Sequence, residues 1–225
     1  MKAYAFFDVD ETLIRPKSMF DFLQYWYEHT HGAQGPAMHA ERWASIRVLI
    51  NQGMSRHQLN RLYYSWFAGV SYKDLELAGR AWFDQRCRAG GLFKEAVVQR
   101  LHTLRQSGIE PVLVSGSMVP LLAPLAGWLG VEHLLCAELQ LDGGLVTGEL
   151  LQGAIGPEKQ LRLHAFLQQH GVSAKACHAY GDHISDLAML EAVDYPHAVD
   201  PCAALREVAE SRHWPILLSE QLTPA

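Results

Sequence analysis

The chain opens on an unbroken apolar stretch, Ala3-Tyr4-Ala5-Phe6-Phe7, that stops abruptly at Asp8. A short run without polar interruption predicts a strand buried on both faces, as in parallel sheets, whose C-terminal end delivers Asp8 and Asp10 to a cleft. From Ser18 the pattern changes to a helical period. Met19, Phe22, Leu23 and Trp26 form one apolar stripe, with Ser18 and Asp21 at capping-box spacing. Pro36 opens a second helix carrying Trp43, Ile46 and Ile50, which Gly53 ends. Ser55 with Gln58 predicts a capped third helix bearing Leu59, Leu62, Tyr63 and Trp66. Ser71 with Asp74 predicts a fourth, bearing Leu75, Ala78 and Trp82. Charged positions fall mostly on the opposite faces, so residues 15–89 read as a helical insertion that folds as a small bundle.

After Gly90-Gly91 helices and strands alternate. Helices are expected over Phe93–Gln106, Met118–Leu129, Glu158–His170, Ile184–Ala192 and Pro201–Ser211. Strands are expected over Glu110–Ser115, Ala176–Tyr180, His197–Val199 and Pro215–Leu218. Leu134–Leu141 and Leu145–Leu150 flank Asp142-Gly143-Gly144, a strong hairpin turn. The fold class is α/β: a parallel, doubly wound sheet of residues 1–14 and 90–225 with the helical segment inserted after the first strand. Binding sites in such sheets lie at the C-terminal strand ends.

Composition narrows the setting. With 49% apolar and 19% charged residues the chain can bury a sizeable core, which excludes disorder. A net charge of -5 and a pI near 6.2 give no basic footprint for nucleic acid. The uncharged stretch 111–131 is broken by Ser115-Gly116-Ser117, Pro120 and Pro124 and does not read as a membrane span, and the opening stretch meets Asp8 before a signal-peptide core forms. Cys87, Cys136, Cys177 and Cys202 lack paired zinc spacing. Reduced thiols in a bacterial-type cytoplasm are the simplest reading, although a cysteine count excludes no disulfide.

Four separated features carry the candidate chemistry. Asp8-Val9-Asp10-Glu11-Thr12 follows the first strand, and positions 8 and 10 share one side if the chain stays extended. Two carboxylates so close repel unless a cation or proton intervenes. Ser115-Gly116-Ser117 follows Val112-Leu113-Val114 and offers a hydroxyl and amides suited to a phosphate oxygen. Lys159 stands near the start of a helix. Gly181-Asp182-His183-Ile184-Ser185-Asp186 places two acids four apart at a strand-to-helix turn, an oxygen set suited to Mg²⁺. Each alone has an ordinary reading: an acidic turn, a loop, a solvated lysine, a helix cap. The twelve histidines form no HxxxH or HExxH pattern.

Together, in this order, the four features resemble the haloacid dehalogenase superfamily of phosphohydrolases, and the helical insertion with the hairpin near Asp142 is similar to its phosphoserine-phosphatase-like branch. The resemblance spans the chain and implies a Rossmann-like core under a helical cap. It implies Asp8 as the nucleophile that becomes an aspartyl-phosphate, and Asp10 as general acid and base. It implies Mg²⁺ held by Asp8, the Asp10 carbonyl, Asp182 and Asp186, the last through a metal-bound water or by orienting Lys159. Ser115, Gly116 and neighbouring amides would hold phosphoryl oxygens, Lys159 would offset negative charge, and Thr12 would bind substrate or support the turn. The acid at Asp10 argues against dehalogenation, because a halide leaving group needs no proton.

The expected partner is a small phosphorylated metabolite, with neither nucleic acid nor a membrane involved. Phosphotransfer to another acceptor uses the same residues, and a silent binding module on this fold is the reading from a different class. Two positions depart from the branch. Lys17 stands where phosphoserine phosphatases carry an ammonium-binding glutamate; it either pairs with an anionic group of substrate or is solvated. Ser185 stands where asparagine is common. Thirteen of the 22 aromatic residues lie between Arg15 and Ala89. Most suit the core of the bundle, with one or two left to line a substrate pocket.

Overall fold

The computed structural model describes residues 2–219. Seven strands form one sheet in the order β4-β3-β2-β1-β5-β6-β7. They are β1 (Ala3–Asp8), β2 (Ile109–Met118), β3 (His133–Asp142), β4 (Leu145–Gln152), β5 (His178–Gly181), β6 (Tyr195–Val199) and β7 (Ile216–Leu217). All neighbours run parallel except β3 and β4, the hairpin around Gly143-Gly144. β1 is buried at every position, as its unbroken apolar run requires. The first crossovers run from β1 to β2 to β3, and β5 then returns to the other side of β1. That reversal opens a crevice at the C-terminal ends of β1, β2 and β5.

Four helices follow β1: α1 (Ser18–Thr30), α2 (Gly35–Asn51), α3 (Arg56–Ser65) and α4 (Tyr72–Ala89). α5 (Glu95–Gln106), α6 (Val119–Leu129), α7 (Pro157–Gln169), α8 (Leu187–Leu190) and α9 (Ala203–Ser211) cross between strands. The chain leaves and rejoins the sheet through two adjacent segments, with Arg15 N–H donating to the Leu92 carbonyl and Lys94 N–H to that of Leu13, both at 2.9 Å. Phe22, Trp26, Tyr63, Phe67, Leu75 and Trp82 pack the helices into a core continuous with one face of the sheet. The connector into α4 also pairs with the hairpin edge, through Gly69 to Val146 and Val146 to Val70, each at 2.8 Å.

The capping box at Ser55 and Gln58 forms as the spacing predicts. The one expected at Ser18 and Asp21 does not. Ser18 is the first residue of α1 and donates its hydroxyl to Ser117, while Asp21 accepts from Arg86 at 2.6 Å and Trp82 Nε1 at 2.7 Å. Tertiary partners outcompete the local cap because a charge-assisted bidentate pair is the stronger interaction. β2 also extends past its expected end, so Ser115-Gly116-Ser117 lies within the strand, where its register with β3 shifts.

At the opposite side of β5, His197 stacks on Tyr180 with ring centroids 4.5 Å apart, and its Nδ1 donates to the Tyr195 carbonyl at 2.9 Å. Burial pushes this imidazole down to about 4. The unfolded chain therefore binds a proton that the native state refuses between about pH 6.5 and 4. Stability is complete above that window and falls as pH drops through it. Replacing His197 by Gln is expected to remove on the order of 2–3 kcal/mol from the acid-induced loss, read from urea unfolding at pH 7 and pH 4.5.

Candidate active site

β1, β2 and β5 converge on one cleft of about 350 Å³, whose walls include Asp8, Asp10, Ser115, Gly116, Lys159, Asp182 and Asp186. At its floor Lys159, buried at the start of α7, donates to Asp8 Oδ1 and to Asp186 Oδ1, the latter at 2.6 Å. Carboxylate oxygens of Asp8, Asp182 and Asp186 lie within 4.8 Å of one another. Burial disfavours the ammonium of Lys159, but the charges of Asp186 and Asp8 outweigh it and hold the proton more firmly than usual. Asp8 is raised well above the carboxylate range, chiefly by burial, with Lys159 opposing and Asp186 and Asp182 adding to the rise. Asp182 is pushed up to about 6 by burial and by the charges of Asp186 and Glu11. One ammonium thus faces three acids. The all-oxygen donor set and this surplus of negative charge fit a hard divalent cation, which would favour the ionised carboxylates.

The turn after β1 explains how two acids reach the same cleft. Leu13 and Ile14 N–H donate to the Val9 carbonyl at 2.9 and 3.0 Å, and Glu11 adopts a positive φ of 58°. A non-glycine residue there is uncommon and marks a conformation imposed by its surroundings. Lys94, buried beside the chain crossing, donates to the Glu11 carbonyl and, at 2.7 Å, to Asp200. Burial pushes Asp10 up to about 7; Ser18 pulls it the other way and the Asp8 charge adds to the rise. At the end of β5, a Cβ on Gly181 would meet the Asp186 side chain at 2.8–3.0 Å, so glycine is what lets Asp186 fold back toward Lys159.

Thr12 and Lys17, both expected at the substrate, are each engaged by another side chain. Thr12 is fully buried, lies outside the cleft wall, and donates to Asp182 Oδ1 at 3.1 Å. Lys17 lines the cleft but pairs with Glu11 at 3.1 Å. Ser185, in the place usual for asparagine, accepts from Arg56 at 3.1 Å and so joins α3 to the turn after β5.

Sequence reasoning missed Arg56, Asn60 and Tyr64, which lie four residues apart along α3. That spacing on one helix face was the available signal. Asn60 and Tyr64 both donate to the Gly116 carbonyl, at 3.0 and 2.8 Å. The same peptide's N–H, that of Ser117, donates to Ser115 Oγ at 3.0 Å. With one lone pair occupied by that N–H, the Ser115 hydroxyl can turn its proton toward an oxygen in the cleft. A Cβ on Gly116 would meet the Ile155 side chain at 2.5 Å, which limits this position to glycine without rearrangement.

A profile of haloacid dehalogenase-like hydrolases matches residues 5–191. The chain belongs to this hydrolase family. It is 30% identical, over 95% of its length and 77% of the relative's, to a protein of Streptomyces azureus named for inhibition of morphological differentiation. A protein of Mycobacterium tuberculosis named a probable phosphatase is 34% identical over 49% of this chain and 38% of that protein. Among solved structures, a Bordetella pertussis protein of unknown function superposes with a TM-score of 0.86 at 23% identity, covering 96% of this chain and 98% of that one. A substrate-bound phosphoserine phosphatase superposes at 0.68 with 18% identity, covering 96% and 93%. At these identities the structural likeness is one of fold: a family core with helices inserted after the first strand.

Removing the two donors from α3, by Asn60→Ala with Tyr64→Phe, is expected to leave the Gly116 carbonyl unsatisfied. The cost should be about 1–3 kcal/mol of stability in urea unfolding, together with weaker binding of inorganic phosphate by calorimetry.

Proposed function

We propose that the protein is a Mg²⁺-dependent phosphatase that hydrolyses a small-molecule phosphate monoester through an aspartyl-phosphate on Asp8. The observation that carries this reading is the convergence of Asp8, Asp10, Ser115, Lys159, Asp182 and Asp186 from separate strand and helix ends onto one cleft. Residues 1–14 and 90–225 serve as the catalytic core and 15–89 as the cap that excludes water. Asp8, Asp182 and Asp186, with the Asp10 carbonyl, would hold the cation, which when bound screens the repulsion between carboxylate and phosphate.

The chain's own groups account for the remaining steps. Lys159 engages Oδ1 of Asp8 and leaves Oδ2 for attack on phosphorus. Ser115 donates to a phosphoryl oxygen, and the Lys159 charge stabilises the crowded transition state. As the bond from phosphorus to the leaving oxygen breaks, Asp10 gives that oxygen its proton. The resulting Asp10 carboxylate then takes a proton from water, whose oxygen attacks phosphorus. The Asp8–phosphorus bond breaks, releasing phosphate and restoring both acids. A carboxyl titrating near 7 holds either form at neutral pH, as alternate acid and base work requires. No helix among the described residues is long and apolar enough to cross a membrane.

Asp8→Asn is expected to lower kcat at least a thousandfold while leaving the unfolding transition in place, and EDTA to abolish activity until Mg²⁺ is restored. Substantial turnover by the variant, or full activity without metal, refutes the mechanism.

Charge at the cleft mouth bears on the substrate. Glu11 is engaged by Lys17, and Arg56 adds a second cation. Phosphoserine is expected to show a lower kcat/KM than glycerol phosphate. Lys17→Gln, which frees Glu11, should narrow that gap mainly through KM, because the contact is remote from phosphorus. A wild-type preference for phosphoserine overturns this reading.

A further inference from the structure

Beyond its phosphoryl end the cleft is walled by apolar side chains. Met19 and Phe20 come from α1, Ile50 from the end of α2, Met54 from the turn after it, Leu59 from α3 and Ile155 from the segment before α7. None of the six is a buried core residue: Ile50 is 49% exposed and the other five are half-buried. Folding alone gains little from leaving six apolar side chains partly wet around one concavity, whereas a ligand that covers them gains their desolvation. The volume, about 350 Å³, falls within the range of small-molecule sites and exceeds what a phosphoryl group fills. The charged groups of the wall define what is refused. Apart from Asp10 and the three acids around Lys159, the one carboxylate there is Glu11, already engaged by Lys17, and Arg56 adds positive charge.

We infer that the substrate is a phosphate monoester with an extended apolar body and no ammonium group, its body seated against Met19, Phe20, Ile50, Met54 and Leu59. The inference rests on the phosphatase reading for the phosphoryl end and names the chemistry of the remainder. Two of the wall residues are methionines, whose unbranched, polarisable side chains adapt to a ligand's shape. The cleft therefore selects for apolar surface more than for one outline. Because the body lies away from phosphorus, its burial acts on ground state and transition state alike and appears in KM.

The test uses two homologous series on the full chain with Mg²⁺: alkylphosphonates from methyl to hexyl, followed by calorimetry, and the matching alkyl phosphates, followed by phosphate release. Each added methylene is expected to tighten Kd roughly three- to fourfold until the cleft is filled, with KM falling in parallel. Aminoethylphosphonate should bind at least tenfold more weakly than propylphosphonate, which has a similar shape. Ile50→Ser and Met54→Ser, at accessible positions, should flatten the dependence on chain length. Turnover of all alkyl phosphates with Kd and KM independent of length overturns the inference and leaves the phosphatase reading standing. Length-dependent phosphonate binding without any turnover supports the apolar site and refutes the phosphatase reading. Neither binding nor turnover overturns both.

Discussion

A single buried ammonium set among acids is the constraint on which the site depends. Lys159 bonds both Asp8 and Asp186, and Asp182 stands close by. Removing one partner of a buried ion pair leaves the other uncompensated, which makes such a cluster strongly interdependent. Its charges do not balance, because three carboxylates share one lysine. Burial, with the charge of Asp186 adding to it, raises Asp8 and Asp182 above the ordinary carboxylate range, and the surplus of acids fits a divalent cation. Stability and chemistry therefore draw on the same charges.

The fold makes such a cluster possible without a long polar segment in the core. β1 is apolar until its last residue, so Asp8 emerges at the strand end where the sheet's crossovers reverse. The neighbouring strands β2 and β5 bring Ser115 and the turn bearing Asp182 to the same edge. Lys94 holds the turn after β1 from behind, tying the Glu11 carbonyl to Asp200 beyond β6. The site is built from strand ends and is stiffened by contacts between segments remote in sequence.

The inserted helices are more than a cover. α3 reaches β2 through Asn60 and Tyr64 and the turn after β5 through Arg56. α1 contributes Ser18, whose hydroxyl meets Ser117. The geometry of the Ser115-Gly116-Ser117 peptide units therefore depends on where these helices sit. Their apolar side chains toward the cleft, unlike those toward the bundle core, remain partly open to solvent.

Much of this was legible in the sequence, because period and punctuation act locally. The apolar run ending at Asp8, the capping box at Ser55, the Asp142-Gly143-Gly144 hairpin and the strand-helix alternation after Gly91 each identify an element with a physical cause in adjacent residues. That Asp8, Asp10, Ser115, Lys159, Asp182 and Asp186 meet in one cleft was readable from their places at element ends. What local reasoning could not supply was choice among partners. Ser18 looked like a cap yet bonds Ser117, Asp21 looked like its partner yet pairs with Arg86, and Lys17 looked free to read a substrate yet pairs with Glu11. Asn60 and Tyr64 looked like ordinary helix residues. Hydrogen bonds and ion pairs act over a few ångströms, and which groups come that close across a gap of many residues is decided by packing. The sequence by itself determined the main elements and the candidate groups; tertiary structure alone decided which of those groups face each other, which are occupied, and which remain open to the cleft.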